Sequence, residues 1–237
     1  MMGHSNRIET ERLCIRVPKV YDWVNRQVDL PLLAFNGING LQDLGFDCEG
    51  VTGAPEDPCQ VLGDTALTVN CYVTDALGNP VDPLREGSLF ITEIMQPEGR
   101  HEITATLPTG DTVTLQKVKV LVKGFVVVEV SDLQGNITCT SDPIPFATAQ
   151  TFFLCAPRGT TVNAHLSFFE CDANLICTDG DFQQLDVSIT ICLDVQMEAT
   201  VKIEVEGRFC QPREELVAGV CPVNTFPPQC PEIFPGR

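Results

Sequence analysis

From residue 185 to 195, apolar and polar side chains alternate without a break. Leu185, Val187, Ile189, Ile191, Leu193 and Val195 fall on one face, and Asp186, Ser188, Thr190, Cys192 and Asp194 on the other. A two-residue period marks a strand half-buried against a core. Residues 199–206 repeat it, with Ala199, Val201, Ile203 and Val205 inward and Thr200, Lys202, Glu204 and Glu206 outward. Shorter stretches with strand character cover residues 12–17, 66–74, 88–95, 101–106, 111–122, 124–130, 136–140, 150–155 and 161–169. Turn-forming clusters separate them: Gly78-Asn79-Pro80, Pro97-Glu98-Gly99, Pro108-Thr109-Gly110, Gly135-Asn136, Pro157-Arg158-Gly159 and Asp179-Gly180. Helical periodicity is nearly absent. Strands at roughly 8–12-residue spacing with such turns predict an all-β protein, an antiparallel β-sandwich or jelly roll.

One motif recurs. Val73-Thr74-Asp75-Ala76-Leu77-Gly78-Asn79 is echoed by Val130-Ser131-Asp132-Leu133-Gln134-Gly135-Asn136. Each places a D-x-x-G-N turn after a strand end, where Gly takes φ > 0 and Asp or Asn bonds nearby backbone. The echo suggests two β units, residues 66–122 and 123–210, although two hairpins of one sandwich would give the same pattern. Residues 1–34 are expected to form an extended arm, because Pro18 interrupts the strand-like Leu13, Ile15 and Val17. Val17, Tyr21, Trp23 and Val24 would dock that arm on another subunit, aromatic residues being favoured interface anchors. The competing expectation makes residues 12–24 the first strand of the chain's own sandwich. Residues 35–65, rich in Gly, Asp and Pro, predict a long loop or lid. The tail 211–237 holds six prolines together with Cys221 and Cys230, and predicts an extended, irregular segment.

Composition narrows the function classes. The chain has 237 residues, 43% apolar and 20% charged, enough for a real core and too apolar for a disordered polymer. No apolar run approaches the roughly 20 residues of a membrane-spanning helix, so no membrane insertion is expected. Thirty-two acidic residues against 15 basic ones leave a net charge of −17, which opposes binding to nucleic-acid phosphates. The charge is uneven. Residues 1–26 carry five basic and three acidic residues, whereas residues 27–116 carry Arg85 and Arg100 against fourteen acids. A basic leader would be steered toward the acidic body of a neighbour, unless both are simply solvated surface. Residues 1–9 contain no apolar run of the secretory kind, so synthesis in a cytosol, with thiols kept reduced, is expected.

Twelve cysteines then require explanation. Metal ligation fits poorly: there is no C-x-x-C, the closest pair is Cys171 and Cys177, and His4, His101 and His165 lie outside zinc-ligand spacing. Strand faces place Cys14, Cys192 and Cys210 among polar residues, hence exposed, and Cys71 with Val69 and Val73, hence a small core residue. Exposed thiols persist where they are meant to react. Cys14, Cys192, Cys210, Cys221 and Cys230 are therefore candidates for crosslinking, within or between chains.

Catalytic constellations are missing from the pattern. There is no G-x-S-x-G, H-E-x-x-H, Walker A loop or G-x-G-x-x-G. Cys155 with His165 is a formal nucleophile–base pair without a supporting motif. Asp179-Gly180-Asp181 with Asp172 lacks the ligand spacing and terminal Glu of a calcium loop, and Asn136-Ile137-Thr138 is a glycosylation sequon relevant only to a secreted chain. No catalytic residue, metal or cofactor is expected, and the protein is expected not to be an enzyme.

A resemblance enters at residues 118–213. Lys123-Gly124-Phe125-Val126-Val127-Val128-Glu129-Val130 leads to the Gly135-Asn136 turn and Ile144-Pro145-Phe146. Cys155-Ala156-Pro157-Arg158-Gly159-Thr160, Phe169-Glu170-Cys171 and the Val187–Val195 strand follow. This run resembles the SPOCS-type domain of bacterial endospore-envelope proteins. Leu13-Cys14-Ile15-Arg16-Val17-Pro18-Lys19-Val20-Tyr21-Asp22-Trp23-Val24 is similar to leaders of spore-surface proteins from spore-forming Firmicutes. The resemblance implies a structural, self-assembling subunit of the coat, exosporium or an appendage, with itself and other spore-envelope proteins as partners. It implies synthesis in the mother-cell cytoplasm without a signal peptide, deposition on the spore surface, and oxidation of the cysteines after mother-cell lysis. The alternative is an Ig-like adhesin or a carbohydrate-binding β-sandwich module, suggested by the V-T-D-x-x-G-N hairpin.

Overall fold

The computed structural model describes residues 11–49, 57–63, 67–106, 108–132, 134 and 138–207. In chain order the elements are β1 (Glu11–Asp29), β2 (Leu33–Asn36), α1 (Gly37–Leu44), β3 (Asp47–Cys48), α2 (Pro58–Leu62), β4 (Leu67–Thr74) and β5 (Phe90–Glu93). There follow β6 (Glu102–Thr106), β7 (Thr112–Asp132), β8 (Thr138–Thr140), β9 (Ile144–Leu154), β10 (Thr161–Thr178) and β11 (Asp181–Gly207). The protein is all-β, built of two antiparallel sheets. It divides into two compact units, Val20–Glu198 and a second comprising Met1–Lys19 with Ala199–Arg237. No helix among the described residues is long and apolar enough to cross a membrane.

The four-stranded sheet is ordered β1-β11-β10, with β2 also paired to β11. The tight hairpin between β10 and β11 turns on Asp179 (φ 55°) and Gly180 (φ 82°). Two successive positive φ values match the right-handed twist of the strands, which is why Asp-Gly is favoured there. These residues thus belong to a hairpin, and Asp181 Oδ1 accepts a hydrogen bond from Gln60 Nε2 at 2.8 Å. Every inward residue of β11 from Leu185 to Met197 is buried, as the alternation requires.

In the seven-stranded sheet β7 is central. Residues 125–132, 120–123 and 112–116 of β7 pair with β4, β5 and β6, while 116–126 and 129–131 pair with β9 and β8. Strand β3 extends the sheet beyond β8. The inner residues Val118, Val120, Val122, Val126, Val128 and Val130 share one core with the inner row of β11. Phe146 of β9 and Phe169 of β10 approach with ring centroids 5.9 Å apart.

Several expectations change. Residues 111–122 and 124–130 are one strand, and the boundary expected at 122/123 falls inside it. Gly124 occupies an inward position in a continuous even-numbered row. A Cβ there would collide with Leu89 Cδ2 and Phe146 Cζ, so glycine serves the packing, not a break. Residues 35–65 are no plain loop. They contain the end of β2, both helices and β3, and α1 buries Leu44 beside Phe46 of the following turn. Gly40 lets α1 lie on β2, because a Cβ would stand 2.5 Å from the Phe35 carbonyl carbon.

In the unit formed with Ala199–Arg237, the described residues are 11–19 and 199–207. Arg12 Nη1 lies 3.4 Å from Glu204 Oε1, both exposed. Ile203, expected inward, is 41% exposed. Alternation defines two faces of a strand, but burial needs a second layer over one of them. The tail 211–237 and the second D-x-x-G-N turn lie outside the described residues or are only partly described. In the first turn Asp75 Oδ1 accepts from the backbone N–H of Leu77 and Asn79, and Oδ2 from Asn79 Nδ2. The Asn79 side chain first, then those two amides, hold the exposed Asp75 carboxyl below the usual carboxylate range.

Among the described residues three disulfides cross the body: Cys48–Cys139, Cys59–Cys177 and Cys71–Cys171. The first joins β3 to β8, the second α2 to β10, and the third β4 to β10. Cys71 is therefore a crosslink between the two sheets, not an inert core residue. Next to Cys59, buried Asp57 accepts from the Cys59 N–H through Oδ1 (2.8 Å) and from the Phe182 N–H through Oδ2 (3.0 Å). It caps α2 and ties it to the start of β11. Asp57→Ala should cost about 1–3 kcal/mol, since it removes the cap and leaves a buried amide unpaired. A shift of the urea midpoint at unchanged slope would measure it; no shift would mean that water replaces the carboxylate.

Candidate functional site

The chemistry open to this surface is that of its thiols. Three cysteines among the described residues are unpaired: Cys14 and Cys192, both half-buried, and Cys155, exposed. Cys14 and Cys192 are less open than polar neighbours alone suggested. Cys210, Cys221 and Cys230 lie outside the described residues.

Cys192 sits on the outward row of β11, paired across the ladder with Phe168 of β10. The register of β10 shifts between Leu166 and Phe168, taking Ser167 out of the ladder. Ser167 Oγ accepts from Asn25 Nδ2 at 3.0 Å and donates to the Cys192 carbonyl oxygen at 3.5 Å. Cys155 follows the end of β9, where Phe152 and Leu154 point inward and Phe153 and Cys155 outward. Its backbone N–H donates to Asp22 Oδ2 at 2.7 Å, fixing the segment against β1. The same alternation in 150–155 that marked a strand also marked Cys155 as outward. His165 is exposed on β10 opposite Asp194, and no hydrogen bond joins it to Cys155.

Of the residues expected to dock an arm on another subunit, Trp23 and Val24 also have partners in their own chain. Trp23 Nε1 donates to Asp194 Oδ1 at 2.7 Å, while the indole remains 58% exposed. Val24 packs against the core and Val28 is buried. Arg26 Nη1 donates to the Thr151 carbonyl at 2.8 Å, and its guanidinium lies 4.2 Å from the Phe152 ring centroid. In the body Val24 and Val28 face the core and Arg26 reaches β9, whereas residues 12–19 of the strand expected at 12–24 belong to the other unit. Val17, half-buried, belongs to the other unit. Tyr21, Trp23 and Phe168 form the exposed aromatic content of the outer sheet face.

Among the described residues no group of three or more His, Cys, Asp and Glu side chains is placed to hold a metal ion. Comparison with protein-family models, curated proteins and solved structures returned no match for this chain.

Proposed function

We propose that the protein is a structural, self-assembling subunit of the spore surface, in the coat, exosporium or an appendage, joined to further copies through β-strand and disulfide contacts. The observation that carries this reading is the division of the cysteines. Six are committed to disulfides inside the chain, and Cys14, Cys155 and Cys192 stay unpaired at least partly within reach of solvent. A thiolate attacks a disulfide or an oxidised thiol of another copy only if it is accessible, so internal pairs staple the fold and the others link copies. The resemblance of residues 118–213 and of the leader to spore-envelope proteins supplies the setting. Oxidation after mother-cell lysis supplies the conditions.

Under air oxidation the full chain should form a ladder of high-mass species on non-reducing electrophoresis that collapses with thiol. Replacement of Cys14, Cys155, Cys192, Cys210, Cys221 and Cys230 by Ser should leave the oxidised monomer alone. A single monomer band from the unsubstituted chain would sink the proposal.

A second reading, a carbohydrate-binding module, draws on Trp23. Its exposed ring is oriented by Asp194, and an oriented indole is a surface on which a sugar ring stacks. A monomer that binds glycans, and loses them on Trp23→Ala, would favour this reading over assembly.

A further inference from the structure

The two sheets of the unit Val20–Glu198 share one core, so their outer faces point in opposite directions. Strand register fixes which charges each face carries. On β7 the buried row Val118, Val120 and Val122 turns Lys117, Lys119, Leu121 and Lys123 outward. Three of the chain's five lysines therefore stand on one face of a single strand. Across the ladders they meet Phe153, Thr151 and Ala147 of β9, and Lys123 also meets Phe90 of β5. No carboxylate shares these rows, and no ion pair among the described residues engages the three ammonium groups. Asp75 lies near Lys123, but its oxygens accept from Leu77 and Asn79. Phe90 and Phe153 are 58% and 47% exposed, so the lysines stand among open apolar side chains.

The outer face of the four-stranded sheet has the opposite sign. Burial of Leu185 through Met197 turns Asp186, Asp194 and Glu198 of β11 outward. Pairing sets Glu170 and Asp172 of β10 on the same face, opposite Thr190 and Ser188. Asp29 of β1 joins them, accepting from Thr190 Oγ1 at 3.0 Å. The hydrogen-bond donors to these carboxylates are neutral: Trp23 and Gln196 for Asp194, Gln184 for Asp186, and Asn163 for Glu198. Glu170 and Asp172 are exposed, and no lysine or arginine stands in the outward rows of β10 and β11 within this unit. Each face also carries an unpaired thiol, Cys192 among the carboxylates and Cys155 beyond Phe153.

We propose that the lysine face of one copy docks on the acidic face of the next, so that copies stack head to tail. A second copy is the occupant because the complementary charge pattern is carried by the same chain, and such complementarity selects partner and orientation. With unlike faces on opposite sides, each added copy leaves a free face, and the contact propagates unless rotation closes a ring. The net charge of −17 opposes association at long range. That repulsion is screened beyond about 8 Å at physiological salt, whereas pairs inside the contact are screened less. This contact rests on the reading of a self-assembling subunit and deepens it, adding a face-to-face association that needs no crosslink.

Sedimentation at physiological salt tests it on the chain in which Ser replaces Cys14, Cys155, Cys192, Cys210, Cys221 and Cys230, so that crosslinking is removed. Reversible, concentration-dependent association is expected. On that background Lys119→Glu with Lys123→Glu, and separately Glu170→Lys with Asp172→Lys, should each weaken association about tenfold or more. An equimolar mixture of the two should associate again, because reversed face then meets reversed face and native meets native. A cooperative melt shows that each variant is folded; should the glutamates disturb it, Lys119→Gln with Lys123→Gln is expected to weaken association in the same direction. Variants that associate as strongly as their parent, or a mixture that stays monomeric, would overturn the stacking. A monomeric parent beside a thiol-sensitive ladder from the unsubstituted chain would overturn the stacking and leave crosslinked assembly standing. Association of the parent without any such ladder would do the reverse.

Discussion

Ile189→Ala should destabilise the protein by about 2–5 kcal/mol, the cost of opening a cavity at a site that cannot collapse. Ile189 lies mid-row on β11, 1% exposed, between the buried Val187 and Ile191, and the facing sheet closes over it. Ile203, on the same strand and with the same apparent alternation, is 41% exposed and should tolerate Ala within roughly 0.5 kcal/mol. Urea titration of both variants decides the matter. Similar losses at the two positions would mean that residues 199–207 lie under a layer of their own.

The second large effect concerns α2. Cys59 is fully buried and bonded to Cys177, 118 residues away in sequence. Such a link removes much of the freedom of the unfolded chain, and its loss in small domains costs about 2–5 kcal/mol. Replacing both residues by Ala should lower the melting midpoint by roughly 5–15 °C for a chain of this size. The other two disulfides should stay intact by mass. An unchanged midpoint would show that Asp57 and the packing of Leu62 hold α2 without the bond.

The contrast between Ile189 and Ile203 shows how far alternation reaches. It reports that a strand has two unlike faces, and for residues 185–197 that was enough, because the inner row meets the valines of β7. It does not report whether anything lies opposite, and for Ile203 nothing described does. Gly124 shows the converse. By residue type a glycine weakens a strand interior, yet its neighbours Leu89 and Phe146, distant in sequence, require the missing side chain. Only the fold reveals that need. The helices within 35–65 were hidden for another reason. They are five and eight residues long, too short for a periodic signal; Asp57 and Cys59 hold α2 through contacts to distant strands, and Gly40 lets α1 lie on β2.

The thiols were half legible. Face assignment found Cys192, and would have found Cys155 by the same rule. Pairing was not legible at all, since it depends on which strands lie side by side: Cys71 and Cys171 meet only because β4 runs beside β10. The place of the leader was not legible from Trp23 and Tyr21. An aromatic on an outer sheet face has the composition of an interface anchor, and only the bond to Asp194 shows where that face belongs.

The division of labour among the cysteines is the central claim, and disulfide mapping of an isotopically mixed assembly tests it most directly. Equal amounts of unlabelled and 15N-labelled chain are oxidised together, digested without reduction and analysed by mass. The account predicts that Cys48–Cys139, Cys59–Cys177 and Cys71–Cys171 peptides carry one isotope each, and that peptides linked through Cys14, Cys155 or Cys192 include species that carry both. Mixed isotopes in the three internal pairs, or no mixed-isotope crosslink at any of the free thiols, would contradict it.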